Sequence, residues 1–195
     1  QNLPGTLVEV RMIRDVVDRT DVFTGDEVEE SRIKQLSAGG ELRKYRVVHF
    51  ATHGQVDLAR PELSAVVLSQ YDPPRNGEDG YLRVPEVAGL DLNADLVNLS
   101  ACETGLGKIY GGEGVVGLTQ AFLLAGANGL SVSLWQVADE STMRFMVGLY
   151  RLVRETGMPY PAALAAIRRK FISGEIGDGA YQNPYFWAPF VYYGQ

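Results

Sequence analysis

The chain has 195 residues, 46% of them hydrophobic and 22% charged, a balance too apolar for a disordered protein and too charged for one mostly embedded in a membrane. Its 18 basic and 24 acidic side chains leave a net charge of -6, which gives no electrostatic footprint for nucleic acid. The length suits one domain with a full core, and no apolar run approaches the roughly 20 residues that cross a bilayer.

The single cysteine excludes an internal disulfide framework and fits a reducing compartment, hence a cytoplasmic protein. No secretory leader is evident, and a chain opening on Gln1 reads as a fragment of something longer.

In chain order, Thr6 and Glu9 have capping-box spacing, and Val10, Ile13 and Val17 then mark one face of a first helix. Thr24 and Glu27 repeat that signature before a second helix carrying Val28 and Leu36 and closed by Gly39-Gly40. Arg46-Val47-Val48-His49-Phe50-Ala51 predicts a buried strand that delivers its C-terminal end into Thr52-His53-Gly54. Segments 64–69 and 80–83 predict a hairpin with a long exposed loop, and 84–90 a short helix.

Leu96-Val97-Asn98-Leu99-Ser100-Ala101 predicts a further strand ending on Cys102. Five glycines between 105 and 114 suggest a mobile loop before a helix with Val115, Leu118, Phe122 and Ala125 on one face. A strand over 130–135, a helix over 141–155 and a Pro161-initiated helix with Leu164, Ile167 and Phe171 follow, then a final strand at 190–192. Such alternation of apolar runs and amphipathic stretches is that of an α/β domain around a mostly parallel sheet.

Two of the predicted strands end at a chemically reactive side chain beside a small residue, His53 before Gly54 and Cys102 after Ala101. In open parallel sheets the carboxyl ends of the strands line the ligand crevice. A thiol and an imidazole meeting there supply nucleophilic catalysis with its two parts, because a nearby imidazolium lowers the thiol pKa toward the thiolate. His53 lies 49 residues upstream of Cys102, the order and approximate distance found in caspases. A lone cysteine is nonetheless more often a small core residue, and His49, mid-strand among apolar neighbours, reads as a packing histidine.

Gly112-Glu113-Gly114-Val115-Val116-Gly117 matches a dinucleotide fingerprint in letters only. It stands ten residues beyond its strand, and Glu113 would repel a pyrophosphate. One cysteine and two histidines form no metal-ligand cluster, and no EF-hand loop occurs. Neither a metal nor a cofactor is therefore expected.

Thr52-His53-Gly54, Leu99-Ser100-Ala101-Cys102-Glu103-Thr104-Gly105 and Ser133-Leu134-Trp135-Gln136-Val137-Ala138-Asp139 closely resemble the CHAT family. These are caspase-like proteases usually joined to tetratricopeptide repeats and related to separases and metacaspases. The likeness runs from Leu3-Pro4-Gly5-Thr6 to Asn183-Pro184-Tyr185-Phe186-Trp187-Ala188-Pro189-Phe190.

It implies a three-layer caspase-like fold and a cysteine endopeptidase, with Cys102 as nucleophile, His53 as proton-transfer partner and the N–H groups of Gly54 and Cys102 as oxyanion hole. Asp139 would then favour Arg or Lys before the scissile bond, unless it merely caps the helix that follows. Trp135, Glu103 and Asp57 are further pocket candidates.

The partners implied are a protein or peptide substrate and a tetratricopeptide-repeat or sensor region, with no nucleic acid and no membrane. The family's opening strand would precede Leu3-Pro4-Gly5-Thr6 and is missing before Gln1, so the sheet is expected to lack it or receive it from a separate piece. A non-catalytic interaction domain of the same fold is the alternative function.

Overall fold

A computed structural model describes residues 4–57, 59–100 and 113–194. Cys102, Glu103 and glycines 105, 107, 111 and 112 of the anticipated mobile loop lie outside the described residues. The chain is α/β, and its central sheet has strand order β1-β5-β6-β7, from Val47–Phe50 (β1), Leu96–Leu99 (β5), Gly129–Ser133 (β6) and Phe190–Gly194 (β7). β1 runs parallel to β5 and β5 parallel to β6, with Val47 opposite Leu96, Phe50 opposite Leu99, and Leu99 opposite Val132.

Burial follows sheet position. Every residue of β5 and β6 is buried, as expected of inner strands covered on both faces, whereas β1 at the edge is half-buried throughout and not the fully buried strand its sequence suggests. The expected hairpin forms from Ala65–Val67 (β3) and Tyr81–Arg83 (β4), and Gly54–Gln55 (β2), a strand absent from the sequence expectations, joins it in a second sheet, all antiparallel. Two-residue β2 is too short to leave a periodic signal.

The chain divides into two compact units. The first comprises residues 1–22 and 136–191, in which Pro4–Val16 (α1) packs on Asp139–Thr156 (α5) and α5 on Tyr160–Ile172 (α6). Its core is aromatic: Phe145 stacks on Phe190 with ring centroids 4.3 Å apart and meets Phe171 at 5.5 Å. Leu164, Ile167 and Phe171 face inward, as the α6 periodicity predicts. A Cβ on Gly148 would come within 2.5 Å of Ile167 Cδ1, so the missing side chain is what lets α5 and α6 approach. Gly157 ends α5 in the left-handed conformation (φ 67°), its N–H donating to the Val153 carbonyl.

The second unit, residues 23–135 and 192–195, contains Glu30–Ala38 (α2), Val84–Ala88 (α3), Glu113–Leu124 (α4) and strands β1 to β6. The Thr24–Glu27 spacing does not open α2. It closes a single 3-10 turn over Gly25–Glu27, the Thr24 N–H donating to the Glu27 carboxylate at 3.3 Å, and α2 starts only at Glu30. A local capping signal fixes one turn, but helix continuation needs an apolar face with something to cover it. On α4, buried Leu118 and Phe122 look into the core, and Phe122 meets Phe50 of β1 with centroids 5.8 Å apart.

Candidate active site

The carboxyl ends of β1, β5 and β6 line a small cleft with room for about one water molecule. Phe50, Val66, Leu99, Leu118 and Val132 form its walls, and the segment after β1 adds Thr52, His53, Gly54 and Val56. That segment is pinned rather than loose. Thr52 Oγ1 donates to the Val67 carbonyl at 2.6 Å, and the Val67 N–H returns a bond to the His53 carbonyl at 2.8 Å. Gly54 is buried and pairs with Val66 in the small sheet.

The chain around His53 is thus tied to β3, through the Thr52 hydroxyl on one side and the His53 carbonyl and Gly54 on the other, and His53 lines the cavity. Both ring nitrogens are screened from solvent, so the imidazole sits inside the wall and not on an open surface. His53 and Gly54, two of the residues expected at the site, are brought together on one cavity. Their expected partner Cys102 lies two residues beyond Ser100, which is buried just past the end of β5 with its N–H donating to the Phe50 carbonyl at 3.1 Å.

The Asp57 carboxylate turns onto its own loop, accepting from the N–H groups of Ala59 and Arg60 at 3.0 and 2.9 Å and from the Arg60 guanidinium at 3.5 Å. Trp135 is half-buried just past β6, and its carbonyl accepts from Ser133 Oγ at 2.7 Å. Asp139 is exposed in the first turn of α5, where a carboxylate complements the helix dipole. The N-cap itself is Ala138, so Asp139 is not the capping residue that its position suggested. Its carboxyl group lies against the Cα of Gly5, where any Cβ would collide with it. His49, on the strand, engages Asn98 of β5 across the sheet (Nδ1 to Nδ2, 3.0 Å), in keeping with a packing role.

A second polar cluster escaped the sequence reading. Lys34 Nζ on α2 lies 2.7 Å from Glu30, 2.8 Å from Glu78 and 2.6 Å from Glu86. Three carboxylates this close form a cation-binding geometry, and the lysine ammonium is the cation that fills it. Glu30 Oε2 also accepts the Gly80 N–H at 3.0 Å, and Glu86 Oε2 the Arg83 N–H at 2.8 Å, so the cluster ties α2 to β4 and α3.

Burial, reinforced by the neighbouring carboxylates, raises the Glu30 pKa to about 7. Lys34 is held above its ordinary value by the three carboxylates, which outweigh its own desolvation. Glu86 is held below its ordinary value, because hydrogen bonds from Lys34 and the Arg83 N–H outweigh burial. Only the i, i+4 spacing of Glu30 and Lys34 was visible in sequence; Glu78 and Glu86 join through tertiary structure.

A parallel α/β sheet with a histidine-bearing loop at its carboxyl edge belongs to the architecture from which caspase-like domains are built. The profile of the CHAT domain matches residues 1–195, the whole chain, and the protein belongs to the CHAT domain family, which is of caspase-like, protease type. Among curated proteins, human tetratricopeptide repeat protein 28 is 32% identical over 113 residues, which cover 58% of this chain and 4% of that protein. No described helix is long and apolar enough to cross a membrane.

Proposed function

We propose that the chain is a cysteine endopeptidase whose nucleophile is Cys102 and whose proton-transfer partner is His53. The observation that carries this reading is the seating of His53 and Gly54 on one cavity at the carboxyl ends of the parallel strands, while in sequence Cys102 follows two residues after Ser100, which lies just past β5. In the first step the Cys102 sulfur adds to the substrate carbonyl carbon and its proton passes to the His53 imidazole. N–H groups of Gly54 and Cys102 hold the oxyanion, a contribution typically worth a few kcal/mol of barrier.

The imidazolium then protonates the departing amine as the C–N bond breaks, leaving a thioester. Water, deprotonated by the same imidazole, hydrolyses the thioester and restores the thiol. Similarity to a protein named for tetratricopeptide repeats supports attachment or response to such a repeat region, with a protein or peptide as substrate. A chemistry that needs a free thiol suits the reducing cytoplasm.

Randomised peptide libraries and a thiol-directed peptide electrophile test the assignment. Cys102→Ala should remove cleavage by at least about 10³-fold, as loss of a nucleophile does. His53→Ala should abolish selective labelling of Cys102 while leaving the fold's circular dichroism intact. Cleavage that survives both substitutions refutes the assignment.

A further inference from the structure

Two Asn-Gly dipeptides occur in the chain, Asn76-Gly77 and Asn128-Gly129, and the fold treats them in opposite ways. Asn-Gly is the pair most open to loss of the side-chain amide, because glycine puts no Cβ beside the backbone nitrogen that attacks it. Gly129 opens the inner strand β6 and is buried under the Tyr192 ring, whose Cζ comes within 2.6 Å of where a Cβ would stand. The Asn128 N–H is tied to the Ala94 carbonyl at 2.8 Å.

Asn76 and Gly77 are instead the exposed central residues of a turn, with φ of 55° and 80°. The Glu78 N–H donates to the Arg75 carbonyl at 2.9 Å, which makes this the type I′ turn that Asn-Gly favours. Among the described residues no hydrogen bond holds the Gly77 N–H, and a Cβ there would meet nothing within 4 Å. Closing a ring between the Gly77 nitrogen and the Asn76 side chain requires Asn76 to leave its left-handed conformation, so the turn has to open first. Within the turn, opening breaks one backbone hydrogen bond and the 3.4 Å contact from Asn76 Nδ2 to Ser31 Oγ. At Asn128 the same rotation disturbs a core strand, whose opening costs far more.

The geometry points to Asn76 as a site of spontaneous deamidation in the folded chain, with Asn128 protected. Water is the only co-reactant. The Gly77 nitrogen bonds to Asn76 Cγ, the Cγ–Nδ2 bond breaks, and the Gly77 proton leaves with the amide as ammonia. Water then opens the succinimide, its OH adding to one ring carbonyl and its remaining proton returning to the Gly77 nitrogen. Opening at Cγ gives aspartate. Opening at the backbone carbonyl gives isoaspartate, whose main chain runs through Cβ and Cγ and no longer fits the turn. Glu78, which reaches Lys34 at 2.8 Å, and Arg75, which reaches Glu29 at 3.2 Å, flank the altered backbone and lose their placement.

The test holds the full chain at mildly alkaline pH, with and without urea, and follows both asparagines by peptide mapping and mass spectrometry. In the folded chain Asn76 should convert at least about tenfold faster than Asn128, the kind of difference that separates a surface turn from a core strand. In urea the two rates should converge. No conversion at Asn76, or a smaller folded ratio, overturns the proposal. So does a ratio that persists in urea, since local sequence and not the fold would then set it. Asn76→Gly removes the reacting amide and keeps a turn that accepts glycine at both central positions. On ageing, the urea midpoint of the native chain should fall while that of Asn76→Gly holds; equal losses in both overturn the link between this turn and the Lys34 cluster.

Discussion

Replacing Glu30 by Gln isolates the proton on the carboxylate cluster. Glu30 is 2% exposed, sits 2.7 Å from Lys34 and accepts the Gly80 N–H at 3.0 Å. Its pKa rises from the ordinary 4.5 to about 7 because burial penalises the charged form. For a carboxyl group raised in the folded state, the stabilising contribution is complete below pH 4.5 and is lost as the pH climbs through about 7. At roughly 1.4 kcal/mol per pKa unit, this single group withdraws about 3 kcal/mol across that window.

Glutamine keeps the carbonyl that accepts from Gly80 and supplies an amide N–H toward Glu78 or Glu86, so it imitates the protonated acid without titrating. Urea denaturation at pH 5, 6, 7 and 8 provides the assay. The difference between the two stability curves reports the proton shared by Glu30 and the carboxylates hydrogen-bonded around it. Glu30→Gln should gain on the native chain by about 3 kcal/mol between pH 5 and 8. Parallel curves over that range would refute the claim that Glu30 carries the proton.

Lys34→Met should destabilise the chain by about 2–4 kcal/mol at pH 8, because it leaves three carboxylates without their cation, and by less at pH 5, where Glu30 is protonated; urea melts at the two pH values check this. Gly129→Ala should cost about 1–3 kcal/mol in the same assay, since a Cβ there overlaps the Tyr192 ring, 2.6 Å from its Cζ. Phe145→Ala, which removes the ring stacked on Phe190 and packed on Phe171, should cost about 3–5 kcal/mol. Asp139→Ala should lower the melting temperature only slightly, in line with a first-turn charge worth about 0.3–1 kcal/mol; selective loss of cleavage after Lys or Arg would assign Asp139 to substrate specificity.

Much of the architecture was legible in residue order. Inner strands β5 and β6 are short segments carrying Leu96, Val97 and Leu99, and Leu130 and Val132, and α5 and α6 carry their buried positions at helical spacing, so local pattern located them. His53 and Gly54 were legible for a related reason, since an apolar strand that ends on a polar side chain leaves it at the sheet's edge. Sequence also pointed to Cys102 as the proposed nucleophile, through its motif and its distance from the histidine.

Tertiary structure decided what depends on distant residues meeting. Spacing near Thr24 promised a helix and made one turn, because a cap satisfies local N–H groups but does not supply a packing face. Asp57 and Asp139 carried the right charge for a basic-specificity pocket. Only the fold showed the first turned onto its own loop and the second exposed at the start of a helix. The Glu30–Lys34–Glu78–Glu86 cluster spans 56 positions of chain, and its raised carboxyl pKa exists only where folding has removed water around those charges. Local pattern thus determined the elements and the reactive side chains, while burial, which no single segment controls, determined what those side chains face.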